Sequence, residues 1–195
     1  MGKIVLYMFT TVDGFIAGPN GEFDDYEPSA EEMEFANQLF GSAGGILFGR
    51  KTYEGFVAYW DTLDLSSQLT NAVDAEFAKI FRAMNRMVVS RTLEKAHGND
   101  ILIKTPLFEE ISTLKQRTAR DLLLICGPEL LAKLIALGLV DECLLLIKPR
   151  ALGRGMALFG EIKERLLLVN KSTRVFGSGC LLQHYEIDKS KNINT

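Results

Sequence analysis

The most apolar stretch of the chain, residues 122–147, reads LLLICGPELLAKLIALGLVDECLLLI and permits few folds. As one membrane span it would place Glu129, Lys133, Asp141 and Glu142 in hydrocarbon, where each ion is costly. Broken at Gly127-Pro128 and at Gly138, it becomes two apolar strands, 122–126 and 140–147, around a helix over 128–137. Strands that are apolar without alternation are buried on both faces, the condition of a parallel sheet covered by helices. The segment is therefore the seed of an α/β fold.

The rest of the chain repeats the alternation. A strand is predicted over 3–11, followed by a turn-rich loop at Asp13-Gly14 and Gly18-Pro19-Asn20-Gly21. Ser29 and Glu32 form a capping box that opens a helix running to about Phe40. Phe35, Ala36, Leu39 and Phe40 keep helical spacing there, and Gly41 and Gly44-Gly45 stop it. Further strands are expected over 46–48, 86–90 and 101–104, and helices over 51–59, 66–83 and 106–118. A hairpin of 166–175 and 180–187 turns at Gly177-Ser178-Gly179. The expected fold is a three-layer α/β domain over 1–187, with a mostly parallel central sheet, a C-terminal antiparallel hairpin and helices on both faces. A polar tail, 188–195, follows.

Composition narrows the function. With 195 residues, 47% hydrophobic and 24% charged, the chain can bury a core without staples. A net charge of −3 argues against general nucleic-acid binding. Cys126, Cys143 and Cys180 are odd in number and sit in apolar runs, which fits reduced core thiols. His97 and His184 are isolated, so no metal site is expected. The apolar run 4–9 is too short for a signal segment, so the expectation is a cytoplasmic protein with no membrane partner.

In parallel sheets, ligands bind beyond the carboxyl ends of the strands. Three such ends share a character here. Phe48 is followed by Gly49-Arg50-Lys51-Thr52, Val89 by Ser90-Arg91-Thr92, and Cys126 by Gly127-Pro128-Glu129. The first two offer cations and hydroxyls, and the third offers backbone amides at a helix start. Together they suit a ligand with several phosphates, such as a dinucleotide with an additional 2′-phosphate; solvated charges after strands are the plainer alternative at each one. A Walker A loop does not fit, because Arg50 precedes Lys51 and the intervening 45–48 is a strand. A Rossmann glycine motif is absent after the first strand, where Thr11-Val12-Asp13-Gly14-Phe15-Ile16 stands.

These residues resemble the dihydrofolate-reductase-like superfamily. Within it, the chain is most similar to the reductase domain of the bacterial bifunctional riboflavin-biosynthesis deaminase/reductase and its stand-alone relatives. The resemblance is carried by Val12-Asp13-Gly14-Phe15-Ile16-Ala17, Gly49-Arg50-Lys51-Thr52-Tyr53-Glu54, Val88-Val89-Ser90-Arg91 and Gly127-Pro128-Glu129-Leu130-Leu131. Gly138-Leu139-Val140-Asp141-Glu142 and Pro149 through Gly153-Arg154-Gly155 to Leu158-Phe159 continue it. It implies NADPH as hydride donor. By resemblance, Gly49, Arg50, Lys51 and Thr52 hold phosphates, and Ser90 and Arg91 take the 2′-phosphate. Gly127, Pro128, Glu129, Leu130 and Leu131 hold the pyrophosphate, and Ile16 and Ala17 cover the nicotinamide. Two departures stand out. Pro128 replaces a usual second glycine and removes one N–H donor, and no zinc-deaminase signature occurs.

For the hydride acceptor the residues leave alternatives open. Pterin reductases anchor substrate through an acid on the first helix. Asp24, Asp25, Glu27, Glu31, Glu32 and Glu34 cluster there, with Glu31 the candidate for an inward face, although an acidic first turn is also what capping favours. Lys148, Arg150 and Arg154 could take a substrate phosphate or be a solvated basic loop. Tyr53, Phe56, Tyr59 and Trp60 could line a flat pocket or be core. The expected activity is reduction of a small heterocycle related to 5-amino-6-(5-phosphoribosylamino)uracil. A dihydrofolate or pterin reductase and a non-catalytic NADP-binding homologue are the alternatives. The C-terminal strands suggest a homodimer.

Overall fold

The computed structural model describes residues 1–22, 26–67 and 70–191. In chain order the elements are β1 (Ile4–Thr11), β2 (Phe15–Ala17), α1 (Ala30–Ser42), β3 (Gly45–Gly49), α2 (Arg50–Trp60) and α3 (Ala72–Ala83). Then come β4 (Arg86–Val89), β5 (Ile101–Ile103), α4 (Leu107–Arg117), β6 (Leu122–Ile125) and α5 (Pro128–Ala136). The chain finishes with β7 (Glu142–Lys148), β8 (Met156–Ala157), β9 (Leu168–Val175), β10 (Leu181–Ile187) and a 3-10 turn at Lys189–Lys191. Contacts divide the chain into two compact units: Met1–Gly2 with Pro28–Cys126, and Lys3–Glu27 with the chain from Gly127 on.

The first unit carries the strands β5-β4-β3-β6, in that order and all parallel. Every residue of β3 and β6 is buried, as their unbroken apolar runs require. Phe40, Phe48 and Phe81 are fully buried. Removing a side chain of this kind from water contributes about 1.5–3 kcal/mol. Phe77 ties α1 to α3 by packing on Phe40 at 4.8 Å, and Trp60 meets the same ring at 4.5 Å. Phe56 packs on Phe48 at 5.3 Å and on Phe81 at 5.9 Å, so Phe56 and Trp60, both half-buried, serve the packing of α2. Tyr53 is buried, and Tyr59 is exposed.

Two helices differ from expectation. The segment expected to be helical from 66 starts only at Ala72. Asp64 captures the Ser66 N–H and hydroxyl in a local turn, and Asn71 supplies the cap by accepting from Asp74 N–H. Residues 68 and 69 of that expected helix lie outside the described residues. Helix α1 passes through Gly41 and ends at Ser42, so Gly41 does not stop it.

The second unit carries β1-β7-β10-β9. β1 and β7 are parallel from Val5↔Glu142 to Thr11↔Lys148, and β10 is antiparallel to both β7 and β9. The mostly parallel arrangement with a C-terminal antiparallel hairpin is as expected. Helix α5 is closed by Gly138 at φ 67°, as its sequence predicted. The loop after β1 is not wholly irregular: β2 pairs with β8 as a small antiparallel ribbon. The expected polar tail is structured at its start. Lys189 donates to the Gly138 carbonyl at 2.9 Å and pairs with Asp141 at 2.6 Å, while residues 192–195 of that tail lie outside the described residues.

The three cysteines are free and buried, and burial pushes the Cys126 and Cys143 thiols up to about 12, so neither is a thiolate at neutral pH. No helix among the described residues is long and apolar enough to cross a membrane.

Candidate functional site

In the first unit, β3 ends at Gly49 and α2 starts on the next residue. Gly49 provides no side-chain cap, and the first turn of α2 holds no acid. The first N–H groups of the helix therefore stay available at the positive end of its dipole. Arg50 is half-exposed and pairs with Glu54 at 3.1 Å across one helical turn. A pair this exposed contributes only about 0.3–0.5 kcal/mol. Lys51 is exposed and Thr52 half-buried.

The register of the sheet brings the second corner beside the first. Gly49 pairs with Val89, so Arg50 and Ser90 leave neighbouring parallel strands at the same level. Ser90 is buried, and its hydroxyl accepts the N–H of Thr92 at 3.2 Å and of Leu93 at 2.9 Å. That turn leaves Arg91 exposed directly after the strand end. Phe48 pairs with Ile125 on the other side, so β6 ends at this level too.

In the second unit, α5 also starts without a side-chain cap, although unlike α2 it carries an acid, Glu129, in its first turn. Gly127 is its N-cap, no side chain caps it, and a Cβ at Gly127 would meet nothing within 4 Å. Pro128 takes the first helical position, where its missing N–H would have been unpaired in any case. Glu129 is exposed and Leu130 half-buried, whereas Leu131 is fully buried and gives its N–H to the Gly127 carbonyl. Of the expected run, Gly127, Glu129 and Leu130 are at least partly exposed, whereas Pro128 and Leu131 are buried and anchor the helix to its core.

The segment expected over the nicotinamide is held in the second unit by a clasp around Asp13, which sequence reasoning placed in a turn and in a family motif without naming a partner for it. The Asp13 carboxylate accepts the Thr11 hydroxyl, the Gly153 N–H at 2.8 Å and the Leu152 N–H at 3.2 Å. The hydrogen bond from Thr11, then that from Gly153, holds its carboxyl below the usual aspartate range. Val12 N–H donates to the Arg150 carbonyl, and Leu158 N–H to the Gly14 carbonyl. At Gly155 a Cβ would come within 2.2 Å of the Ala17 carbonyl oxygen, so only glycine allows this approach. Ile16 is half-buried and Ala17 buried in the resulting ribbon. The available signal was the pairing of Asp13-Gly14 with a distant glycine loop, which one sequence does not reveal.

Lys148 and Arg150 do converge. The Lys148 ammonium lies 4.9 Å from the Tyr26 ring centre and 5.5 Å from that of Phe9, and the Arg150 guanidinium lies 5.2 Å from Tyr26. Two cations thus gather on the Tyr26 and Phe9 rings at the end of β7. Sequence reasoning missed both Phe9 and Tyr26. Arg154 is exposed on the glycine loop.

Among the acids of the first helix, the inward one is Glu32 rather than Glu31. Glu32 is fully buried in line with Ala36 and Phe40, accepts the Ser29 hydroxyl at 2.8 Å, and closes the cap. Glu31 is half-buried, while Glu27 and Glu34 are exposed. Asp24 and Asp25 lie outside the described residues.

The RibD C-terminal domain family matches residues 2–182. The Bacillus subtilis (strain 168) protein YyaP, itself uncharacterized, is 34% identical over 91% of this chain and 90% of its own. A candidate riboflavin-biosynthesis protein of Shewanella sp. PV-4 superposes with a TM-score of 0.72 at 19% identity, over 96% of this chain and 99% of that one. Dihydrofolate reductase from Enterococcus faecalis, in complex with NADP(H), superposes with a TM-score of 0.64 at 13% identity, over 96% and 97%. The fold is thus that of the dihydrofolate reductases, and the chain belongs to the RibD C-terminal domain family.

Proposed function

We propose that this protein is an NADPH-dependent reductase acting on a small heterocycle related to 5-amino-6-(5-phosphoribosylamino)uracil. The observation that carries the reading is the Gly49↔Val89 register, which sets Arg50, Lys51 and Thr52 beside Ser90 and Arg91 at parallel strand ends. The donor set fits the cofactor: an uncapped helix start for a pyrophosphate and an exposed arginine for the 2′-phosphate. In the second unit, the helix start at Gly127 is likewise without a side-chain cap, and Ile16 and Ala17 are the residues we assign to the nicotinamide ring. NADPH supplies the hydride when bound. Lys148 and Arg150, with Arg154 on the adjoining loop, orient an anionic substrate and hold its charge. The NADP(H) complex of the Enterococcus faecalis enzyme and the riboflavin-biosynthesis assignment of the Shewanella protein support the reading by family.

A pterin reductase has less support, because Glu32, the inward acid of α1, is already engaged by Ser29. We also propose that the protein is a homodimer. Strand β9 stands last in its sheet and exposes Val169 and Val175, which offers an edge for a second copy.

The test is NADPH oxidation followed with the deaminated pyrimidine substrate and, separately, with dihydrofolate. Turnover of the pyrimidine alone, with a raised KM in Arg150→Ala, is the expected result. Turnover of dihydrofolate alone, or of neither, overturns the substrate assignment.

A further inference from the structure

The connection between β4 and β5, residues 90–100, contains no helix or strand. A connection of that length keeps one shape only if something holds it. Its start is held by Ser90, whose N–H donates to the Ile103 carbonyl at 3.1 Å. Its far half is held by a side chain from α2. The Tyr53 hydroxyl accepts the His97 N–H at 2.8 Å and donates to Asp100 Oδ2 at 2.7 Å. Asp100 Oδ1 in turn accepts from Arg86 Nε at 3.0 Å, and Arg86 donates to Asp61, the C-cap of α2, at 2.6 Å. Burial, and then the hydrogen bond to Asp100, pushes the Tyr53 phenol up to about 12, so it is a neutral donor at any physiological pH.

One phenol oxygen therefore joins the helix that begins with Arg50, Lys51 and Thr52 to the loop that begins with Ser90 and Arg91. Packing alone does not require that oxygen. The Tyr53 ring lies 6.0 Å from Phe48 in an apolar setting that phenylalanine would fill equally well. We propose that the Tyr53 hydroxyl is a positioning group for nucleotide specificity: it fixes the Ser90–Arg91 corner against the start of α2, so that a dinucleotide bearing a 2′-phosphate is preferred over one lacking it. The proposal rests on the NADPH reading above. Arg91 supplies the contact; Tyr53 acts only through the loop that carries it.

The experiment is a titration of the full-length protein with NADPH and with NADH, giving a Kd for each in wild type and in Tyr53→Phe, with thermal midpoints alongside. The expected result is a wild-type preference for NADPH that shrinks by about fivefold to tenfold in Tyr53→Phe, the size of one lost hydrogen bond, with NADH affinity little changed. Equal weakening of both nucleotides, or an unchanged preference, overturns the proposal while leaving the NADPH reading intact. A wild type that binds neither nucleotide overturns both. If Tyr53→Phe fails to fold, Asp100→Asn keeps the shape of the junction, weakens the same bond and carries the same expectation.

Discussion

Ser29 and Asn71 close the starts of α1 and α3, each accepting the N–H of the residue three places on, whereas α2 and α5 begin on Gly49 and Gly127 with no side chain over their amides. A side-chain cap is worth about 1 kcal/mol relative to alanine. Helix α4 also begins uncapped, at Pro106, with Glu109 and Glu110 in its first turn, and α5 has Glu129 at the same place, so among the described residues only α2 has neither a cap nor a first-turn acid. Helix α2 follows β3 without a break, and α5 begins two residues beyond the end of β6. The contrast separates helices whose starts are closed by their own side chains from the two glycine-started helices that we propose receive an anion.

The largest test of that contrast is Gly127→Asp. It places a carboxylate over the α5 amides, in space that is open. NADPH affinity should fall on the order of a hundredfold, while thermal stability holds or rises, because the new cap satisfies amides that the cofactor would otherwise use. An unchanged Kd with a raised midpoint would break the comparison. The converse variants are Ser29→Ala and Asn71→Ala. Each should cost about 1 kcal/mol, a fall of roughly 2–4 °C in Tm, with NADPH affinity unaltered. Loss of nucleotide binding in either would mean that the capped helices serve the site as well.

The smallest effect sharpens the same idea from inside the chain. Asp13 is a built-in anion on bare amides, receiving the N–H groups of Leu152 and Gly153 much as a phosphate would. Its folded pKa lies below the usual 3.8, held there first by Thr11 and then by Gly153. A depressed carboxylate pKa gives a contribution that is complete above 3.8 and lost as the pH falls through the lower folded value. The Leu152 and Gly153 amide resonances should therefore shift together, with one midpoint below 3.8. A midpoint above that value, or two unrelated ones, would contradict the clasp.

What one sequence discloses here depends on the range of the interaction. The buried parallel strands were legible because 122–126 and 140–147 are unbroken apolar runs, and the Ser29–Glu32 cap because its partners are three residues apart. The β2–β8 ribbon was not, because its strands are very short and their pairing spans the chain. Residues 66–71 looked helical until Asp64 and Asn71 competed for the backbone. Arg86 reads as an ordinary cation at a strand start, yet it is 9% exposed between Asp61 and Asp100. For the site, the cations after strands could be named in advance; their register, and the aspartate and tyrosine that position their loops, could not.

The central proposal, that the uncapped start of α2 and the Arg91 corner beside it receive NADPH, is tested most directly by the thermal midpoint with NADPH, with NADH and with neither, in wild type and Arg91→Ala. A ligand that binds only the folded state raises the midpoint by mass action, by about 2.7 kcal/mol at a hundred times its Kd. The account predicts a larger rise with NADPH than with NADH, and loss of that difference in Arg91→Ala. No rise with either nucleotide, at concentrations well above millimolar, would contradict it.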